Sequence, residues 1–426
     1  MASDRPDIVV VMTDQQRADS LGYAGNRFVH TPNLDRLAAG SLRFRNAVTP
    51  FPLCSPARAC LWTGRHAHRH GVTDNVYGEP DALARRGRPT LFPAMRDAGY
   101  RTGYIGKWHL GEGRPDGFDH WDGYNSAFSQ WIEAPGPEGP GGRVWRPHRE
   151  TDEAIALLEQ WSAGPPFLLV LSYYPPHPPY DAPDRHFARH RGTGLPHPAY
   201  YAAVDGIDVC VGRLLEALDR RRPQRASAVV FLSDHGDAFQ VGKGSKRSVE
   251  EAALRVPLLL RAPGLVPADI DVPASLLDVA PTLAGLAGVA LPGDGADLRR
   301  IADGTVGRTA VIVENVVMES VATRDGNLRR QIGVLPRAER AVWSGRAKLS
   351  LRHASAPGVY DLAMDPEERQ NLWRGRLPDD AAFALATGLL GELARAAAIT
   401  EDVEGAALGA AFGRLMDGAA AGSDDR

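Results

Sequence analysis

A chain of 426 residues, 43% hydrophobic and 24% charged, is long enough to bury a large core and ordinary in composition for a globular protein. Its formal net charge of −3, with arginines scattered along the chain, gives no electrostatic footprint for a nucleic-acid or membrane partner. Three cysteines, Cys54, Cys60 and Cys210, exclude a disulfide framework, and no apolar run reaches the length of a membrane span.

The first element is the apolar run DIVVVM at 7–12. It is too short for the apolar core of a signal peptide, so a soluble, cytoplasmic chain is expected. Continuous and β-branched, it suits a central parallel strand buried on both faces. Runs of the same kind recur at 101–106, 167–174, 227–232, 256–261 and 310–314. Between them, residues 90–99, 151–164, 200–221 and 275–288 carry helical patterns, three of which close on a glycine. Residues 111–149, rich in Gly, Pro and aromatics, read as a long loop forming a pocket wall or lid. Beyond about 335 come short antiparallel strands at 340–353 and 358–368, a helix at 379–397 and a disordered tail at 419–426. The expected fold is α/β: a large mixed, mostly parallel sheet sandwiched by helices over 1–335, with a small C-terminal α+β subdomain over 336–426.

Ligands of open α/β sheets bind beyond the carboxyl ends of the strands. Asp14 and Gln15 follow the first strand, Lys107 and His109 the second, His177 the third, Asp234 and His235 the fourth. One polar residue at a strand end means little; four such groups in one chain point to a shared site. The oxygens of Asp14, Gln15 and Asp234 suit Ca2+ or Mg2+, and the nitrogen of His235 leaves Mn2+ or Zn2+ open. The competing reading is that Asp14 and Asp234 merely cap a turn and a helix. Lys107, His109, His177 and Arg58 suit an anion. His66, His68 and His70 lack a neighbouring carboxylate and stand among arginines, which argues against a metal there. Cys54 stands at the start of a helix with Pro56 in its first turn. There it is either a thiol activated by the helix N-terminus and Arg58 or a small buried residue.

CSPARACLWTG at 54–64 resembles the signature of the formylglycine-dependent sulfatases, C-x-P-x-R followed by a helix and T-G. GYRTGYIGKWHLG at 99–111 is similar to that family's second signature. Further matches follow in family order: residues 7–48, LSDHGD at 232–237, EEAALRVPLLLRAPG at 250–264 and VYDLAMDPEERQNL at 359–372.

The resemblance implies the fold of the alkaline phosphatase superfamily and hydrolysis of a small-molecule sulfate ester to an alcohol and inorganic sulfate. It implies that Cys54 is oxidised to formylglycine by a formylglycine-generating enzyme acting on the unfolded chain. One hydroxyl of the aldehyde hydrate attacks sulfur, and loss of a proton from the other expels sulfate. Asp14, Gln15, Asp234 and His235, with the modified Cys54, then hold one divalent ion, Ca2+ first, with Mg2+ or Mn2+ as alternatives. Arg58 stabilises the hydrate, and Lys107 and His109 form the pair of the second signature, His109 serving as base. His177 stands near the leaving group, and Lys246 contacts the anion. His235, where many members carry Asn, also resembles the phosphonate monoester hydrolase and phosphodiesterase branch, which makes that chemistry the alternative.

Overall fold

The computed structural model describes residues 5–126, 129–133, 142–221, 226–239, 246–321, 333–352 and 355–421. Eight strands form the main sheet: β1 (Asp7–Thr13), β2 (Leu42–Phe44), β3 (Arg101–Lys107), β4 (His120–Tyr124), β5 (Phe167–Ser172), β6 (Ser227–Ser233), β7 (Leu258–Arg261) and β8 (Ala268–Ile270). Their order is β8-β2-β7-β6-β1-β5-β3-β4, and β7 alone runs against the rest.

The unbroken apolar character of β1 follows from its place at the centre. Ile8, Val10 and Met12 enter one core, with Trp62, Phe92 and Leu283, while Val9 and Val11 enter the other, with Leu37, Leu157 and Leu214. The first core is roofed by α2 (Cys54–Thr63), α3 (Leu91–Asp97) and α6 (Val279–Leu286), the second by α1 (Pro32–Ala39), α4 (Arg146–Gln160) and α5 (Pro198–Arg220). Each fully buried aliphatic side chain contributes roughly 1.5–3 kcal/mol. A polar strand face would forfeit this, which is why no period-two alternation appears in the sequence.

The central strands β6, β1, β5 and β3 lie side by side, so the polar residues that follow them meet along one edge. Close packing there depends on Gly106. Its φ is +101°, and a Cβ at this position would lie 2.1 Å from the Ser172 carbonyl oxygen. Gly106→Ala is expected to destabilise the protein by roughly 3 kcal/mol or more, read from urea unfolding.

The described residues of the stretch 111–149 carry more regular structure than its composition suggests; 127–128 and 134–141 lie outside them. It contributes edge strand β4, a pairing of Trp131–Glu133 with Arg143–Trp145, and the first turn of α4, which starts at Arg146 through Pro147 rather than at 151. The run at 310–314 does not join the main sheet. It opens β9 (Val311–Val321), the edge of a four-stranded antiparallel sheet with β10 (Gly333–Trp343), β11 (Ala347–Arg352) and β12 (Gly358–Asp361). The antiparallel sheet therefore begins before residue 336, and the boundary expected at 335/336 falls inside β10.

Helix α7 (Asp380–Thr400) is long and apolar enough to cross a bilayer by length and composition, yet it seats Ala386, Leu389 and Leu393 on the antiparallel sheet. A second helix, α8 (Val403–Ala421), packs beside it and takes up residues 419–421 of the expected disordered tail; the remainder lies outside the described residues.

A charged clasp joins this subdomain to the catalytic layers. His68 places Nδ1 2.6 Å from the Glu314 carboxylate and Nε2 2.9 Å from the Thr400 carbonyl oxygen. Arg340 reaches Glu314 at 3.1 Å and Asp402 at 2.6 Å. The His68–Glu314–Asp402 cluster has metal-like geometry, but the Arg340 guanidinium already supplies its positive charge. Burial pushes the His68 pKa down, and the bond to Glu314 outweighs it, raising it above 6.5. Burial pushes Glu314 up, but His68, Arg340 and His66 hold it at about 2 against an ordinary 4.5. Stability from Glu314 is thus present above pH 4.5 and lost as pH falls toward 2. Stability from His68 is full below pH 6.5 and lost as pH rises through its raised value. His68→Gln should flatten the fall of Tm above pH 6.5 relative to the unaltered protein, measured by calorimetry at constant ionic strength.

Candidate active site

The site lies at the carboxyl edge of β6, β1, β5 and β3. Helix α2 begins at Cys54 itself, with Leu53 as its extended N-cap residue. Cys54 and Arg58 are one turn apart on the same face, which is the physical content of the C-x-P-x-R spacing. Both are fully buried.

Arg58 organises the two acidic strand ends. It donates from Nε to Asp234 Oδ2 at 3.0 Å and from NH2 to Asp14 Oδ2 at 2.9 Å. Its remaining nitrogen donates to Ser172 Oγ at 2.9 Å and to the Lys107 carbonyl. Lys107 Nζ stands 2.7 Å from the same Asp14 oxygen. Each carboxylate therefore gives Oδ2 to a cation. Asp14 Oδ1 lies 3.8 Å from Cys54 Sγ. Asp234 Oδ1 accepts the backbone N–H groups of Gln15 and His235 at 3.0 and 2.9 Å.

His235 faces Cys54 Sγ through Nε2 at 3.3 Å, while Nδ1 meets the Gly236 carbonyl at 2.9 Å. That carbonyl accepts from N–H, so Nδ1 carries a hydrogen and Nε2 is the nitrogen turned toward the ligand cluster. Burial pushes the His235 pKa down, but the charges of Asp234 and Cys54 outweigh it and raise it to about 9, so a bound cation would displace the Nε2 proton. One ligand atom each from Asp14, Cys54, Asp234 and His235 falls within 4.8 Å of the others. Burial and the charge of Asp14 push Asp234 up to about 6, as in a carboxylate short of positive charge. Two carboxylates, an imidazole and a shortage of cation together fit a divalent ion.

Gln15 adopts φ +63° and donates from Nε2 to Asp237 Oδ2 at 2.8 Å, which fixes the direction of its amide. Asp237 closes the LSDHGD stretch, where the sequence alone assigns it no role. The Tyr180 hydroxyl donates to it at 2.5 Å, and its backbone carbonyl accepts from Arg17 at 2.8 Å. Ser172, which holds Arg58, had no signal beyond ending an apolar run.

Lys246 donates from Nζ to Cys54 Sγ at 3.1 Å and to His177 Nε2 at 2.8 Å. His177 Nδ1 sits 2.6 Å from the Pro178 carbonyl, so Nδ1 carries its hydrogen and Nε2 accepts from the ammonium. Burial and Lys246 lower the His177 pKa. Burial likewise pushes His109 down to about 4, leaving a neutral imidazole beside Cys54. Burial raises the Cys54 thiol, but the charges of Lys107, Lys246 and His235 bring it well below 9.0. The nine other candidate site residues, Asp14, Gln15, Arg58, Lys107, His109, His177, Asp234, His235 and Lys246, thus gather with Cys54 at this edge, while His68 and His70 lie elsewhere. Cys60 and Cys210 are buried free thiols elsewhere, and Cys60 contacts His70 at 3.2 Å.

A buried sulfur at a helix N-terminus, ringed by cations and paired acids at the edge of a mostly parallel sheet, makes a site suited to an anionic substrate and a metal ion. The family profile "Sulfatase" matches residues 6–289. The chain belongs to the sulfatase family and is a sulfuric ester hydrolase. It is 30% identical over 350 residues to the Escherichia coli (strain K12) "Uncharacterized sulfatase YidJ", covering 68% of this chain and 69% of that one. It is 29% identical over 448 residues to the choline-sulfatase of Rhizobium meliloti, covering 87% and 83%. Among solved structures, one from work on glycosaminoglycan metabolism by Bacteroides thetaiotaomicron superposes with a TM-score of 0.78 at 23% identity, covering 93% and 97%. The phosphonate monoester hydrolase of Agrobacterium radiobacter gives 0.74 at 20%, covering 93% and 96%. At these identities the structural likenesses speak to the fold.

Proposed function

We propose that Cys54 is converted to formylglycine and that the chain cleaves its sulfate ester at that residue, beside one Ca2+ ion. The observation that carries this reading is Cys54 Sγ, set 3.3 Å from His235 Nε2 and 3.1 Å from Lys246 Nζ at a helix start. Sγ stands in for one hydroxyl oxygen of the aldehyde hydrate. Cys54 has no exposed surface, so a modifying enzyme must reach it before the chain folds. Oxygen donors dominate the metal set, which favours Ca2+ over softer ions, with Asp14, Gln15, Asp234 and His235 as its holders. When bound, such an ion would supply positive charge to the sulfate group.

The chain's own groups divide the remaining work. Lys107 and Arg58 hold the acidic ligands ionised and in place. Lys246, its ammonium shared with His177, donates the proton that the leaving alcohol oxygen needs as the S–O bond breaks. His109, neutral at ordinary pH, takes the proton from the second hydroxyl as sulfate is expelled. The test is peptide mass spectrometry of protein co-produced with a formylglycine-generating enzyme, together with elemental analysis. The reading expects an aldehyde in place of the Cys54 thiol and calcium at one ion per chain. An unmodified thiol in a fully active sample would overturn it.

Asp237 positions Gln15 and so acts on the ion through it. Asp237→Ala should weaken metal retention by about 10–100-fold in chelator competition, with Cys54 conversion intact. Unchanged competition would remove that role.

A further inference from the structure

We propose that the mouth of the site holds the alcohol as a hydroxylated sugar ring. Tyr77 stacks on its face and the Asp74–Arg247 pair binds its hydroxyls, so that the ester cleaved is a carbohydrate sulfate. The inference rests on the sulfatase reading and adds the substrate class.

Tyr77 is 57% exposed, yet the chain that carries it is tied to the catalytic elements. Val76 N–H donates to Ser55 Oγ at 3.0 Å, and the Val76 carbonyl accepts from Asn125 at 2.9 Å. Asn75 Oδ1 accepts from the Ser55 N–H at 3.2 Å, and Ser55 Oγ donates to the His109 carbonyl at 2.6 Å. These bonds hold the Tyr77 ring 5.3 Å from the His109 ring, at the rim of the cluster. The ring therefore stands beside His109, a member of the site. An aromatic held in place this way loses little freedom when a flat ring covers it.

Three residues earlier, Asp74 pairs with Arg247; their side chains are 52% and 32% exposed. Arg247 follows Lys246 directly, at φ +62°, its N–H on the Pro52 carbonyl at 2.8 Å and its own carbonyl on Asn315 at 3.0 Å. The pair is therefore as firmly placed as Tyr77. A cationic alcohol gains little here, because the carboxylate is already neutralised and Lys246 is close. A purely apolar alcohol would strip water from the pair without replacing its hydrogen bonds. Vicinal hydroxyls, each donor and acceptor, satisfy both partners.

The experiment compares kcat and KM for hexose monosulfates, choline sulfate and nitrophenyl sulfate in the unaltered protein, Tyr77→Ala and Asp74→Ala, each with full Cys54 conversion and a normal melting curve. The expected result is a preference of the unaltered protein for a hexose sulfate. In both variants the efficiency ratio of hexose sulfate to nitrophenyl sulfate then falls about tenfold or more, chiefly through KM. A preference for choline sulfate, turnover of nitrophenyl sulfate but of no hexose sulfate, or an unchanged ratio in the variants would overturn this inference while leaving the sulfatase reading intact. No hydrolysis of any ester by fully converted protein would overturn both.

Discussion

Cys54→Ser is expected to abolish multiple turnover, lowering kcat by on the order of 10^4–10^6-fold, while leaving the fold intact. The reason is chemical rather than steric. A serine hydroxyl in the place of Cys54 Sγ, beside His235 and Lys246, can accept the sulfuryl group as the S–O bond to the alcohol breaks. It then carries a sulfate ester on a carbon with no second hydroxyl, so no carbonyl can form and the sulfate stays. The expected signature is at most one sulfate per chain, visible as an added mass on the peptide spanning residue 54, with one equivalent of alcohol released. Sustained turnover by the serine variant would show that expulsion of sulfate needs no aldehyde.

The second large effect is on stability. Arg58→Ala is expected to cost about 3–5 kcal/mol in urea unfolding without added metal, because it leaves two buried carboxylates with less counter-charge. Asp14 and Asp234 each take one guanidinium nitrogen within 3.0 Å, and all three side chains have no exposed surface. Asp14 also has Lys107 at 2.7 Å, so Asp234 is left the more exposed to repulsion. Arg58→Lys restores the charge but presents one ammonium to two acceptors on different strands, and is expected to recover only part of the loss. Excess Ca2+ should narrow the gap between Arg58→Ala and the unaltered protein, since an ion would restore a counter-charge to Asp234 and add one to Asp14 beside Lys107. A loss below about 1 kcal/mol in the alanine variant would mean that the acids are held by other groups.

Much of the site was legible because strand ends are legible. DIVVVM, RTGYIG, FLLVLS and SAVVFL are buried on both faces, so their sequences run apolar until the chain leaves the sheet. The first polar residues after each are therefore marked, and the adjacency of the four strands brings them together. The spacing of Cys54 and Arg58 was readable as one helical turn. The roles of Ser172 and Asp237 were not, because each acts through a neighbour: Ser172 on Arg58, Asp237 on Gln15. Such roles depend on distances across the sheet, which leave no local pattern.

The fold class is legible in the sequence; single elements depart from it where composition and environment disagree. HWDGY at 120–124 is half-buried and carries Asp and Gly, yet it pairs with β3 because an edge strand needs only one neighbour. AVIVE reads as a parallel core strand, but β9 meets its partner β10 in the antiparallel sheet, and Glu314 turns inward only because His68 and Arg340 neutralise it.

The most direct test of the central claim is a comparison of catalytic efficiency on an aryl sulfate, an aryl phosphonate monoester and an aryl phosphodiester, using fully converted protein with Cys54→Ala as the blank. Dominant sulfate hydrolysis that vanishes in the blank is the predicted result. Dominant phosphonate or diester hydrolysis, or sulfate hydrolysis that survives without Cys54, would contradict it.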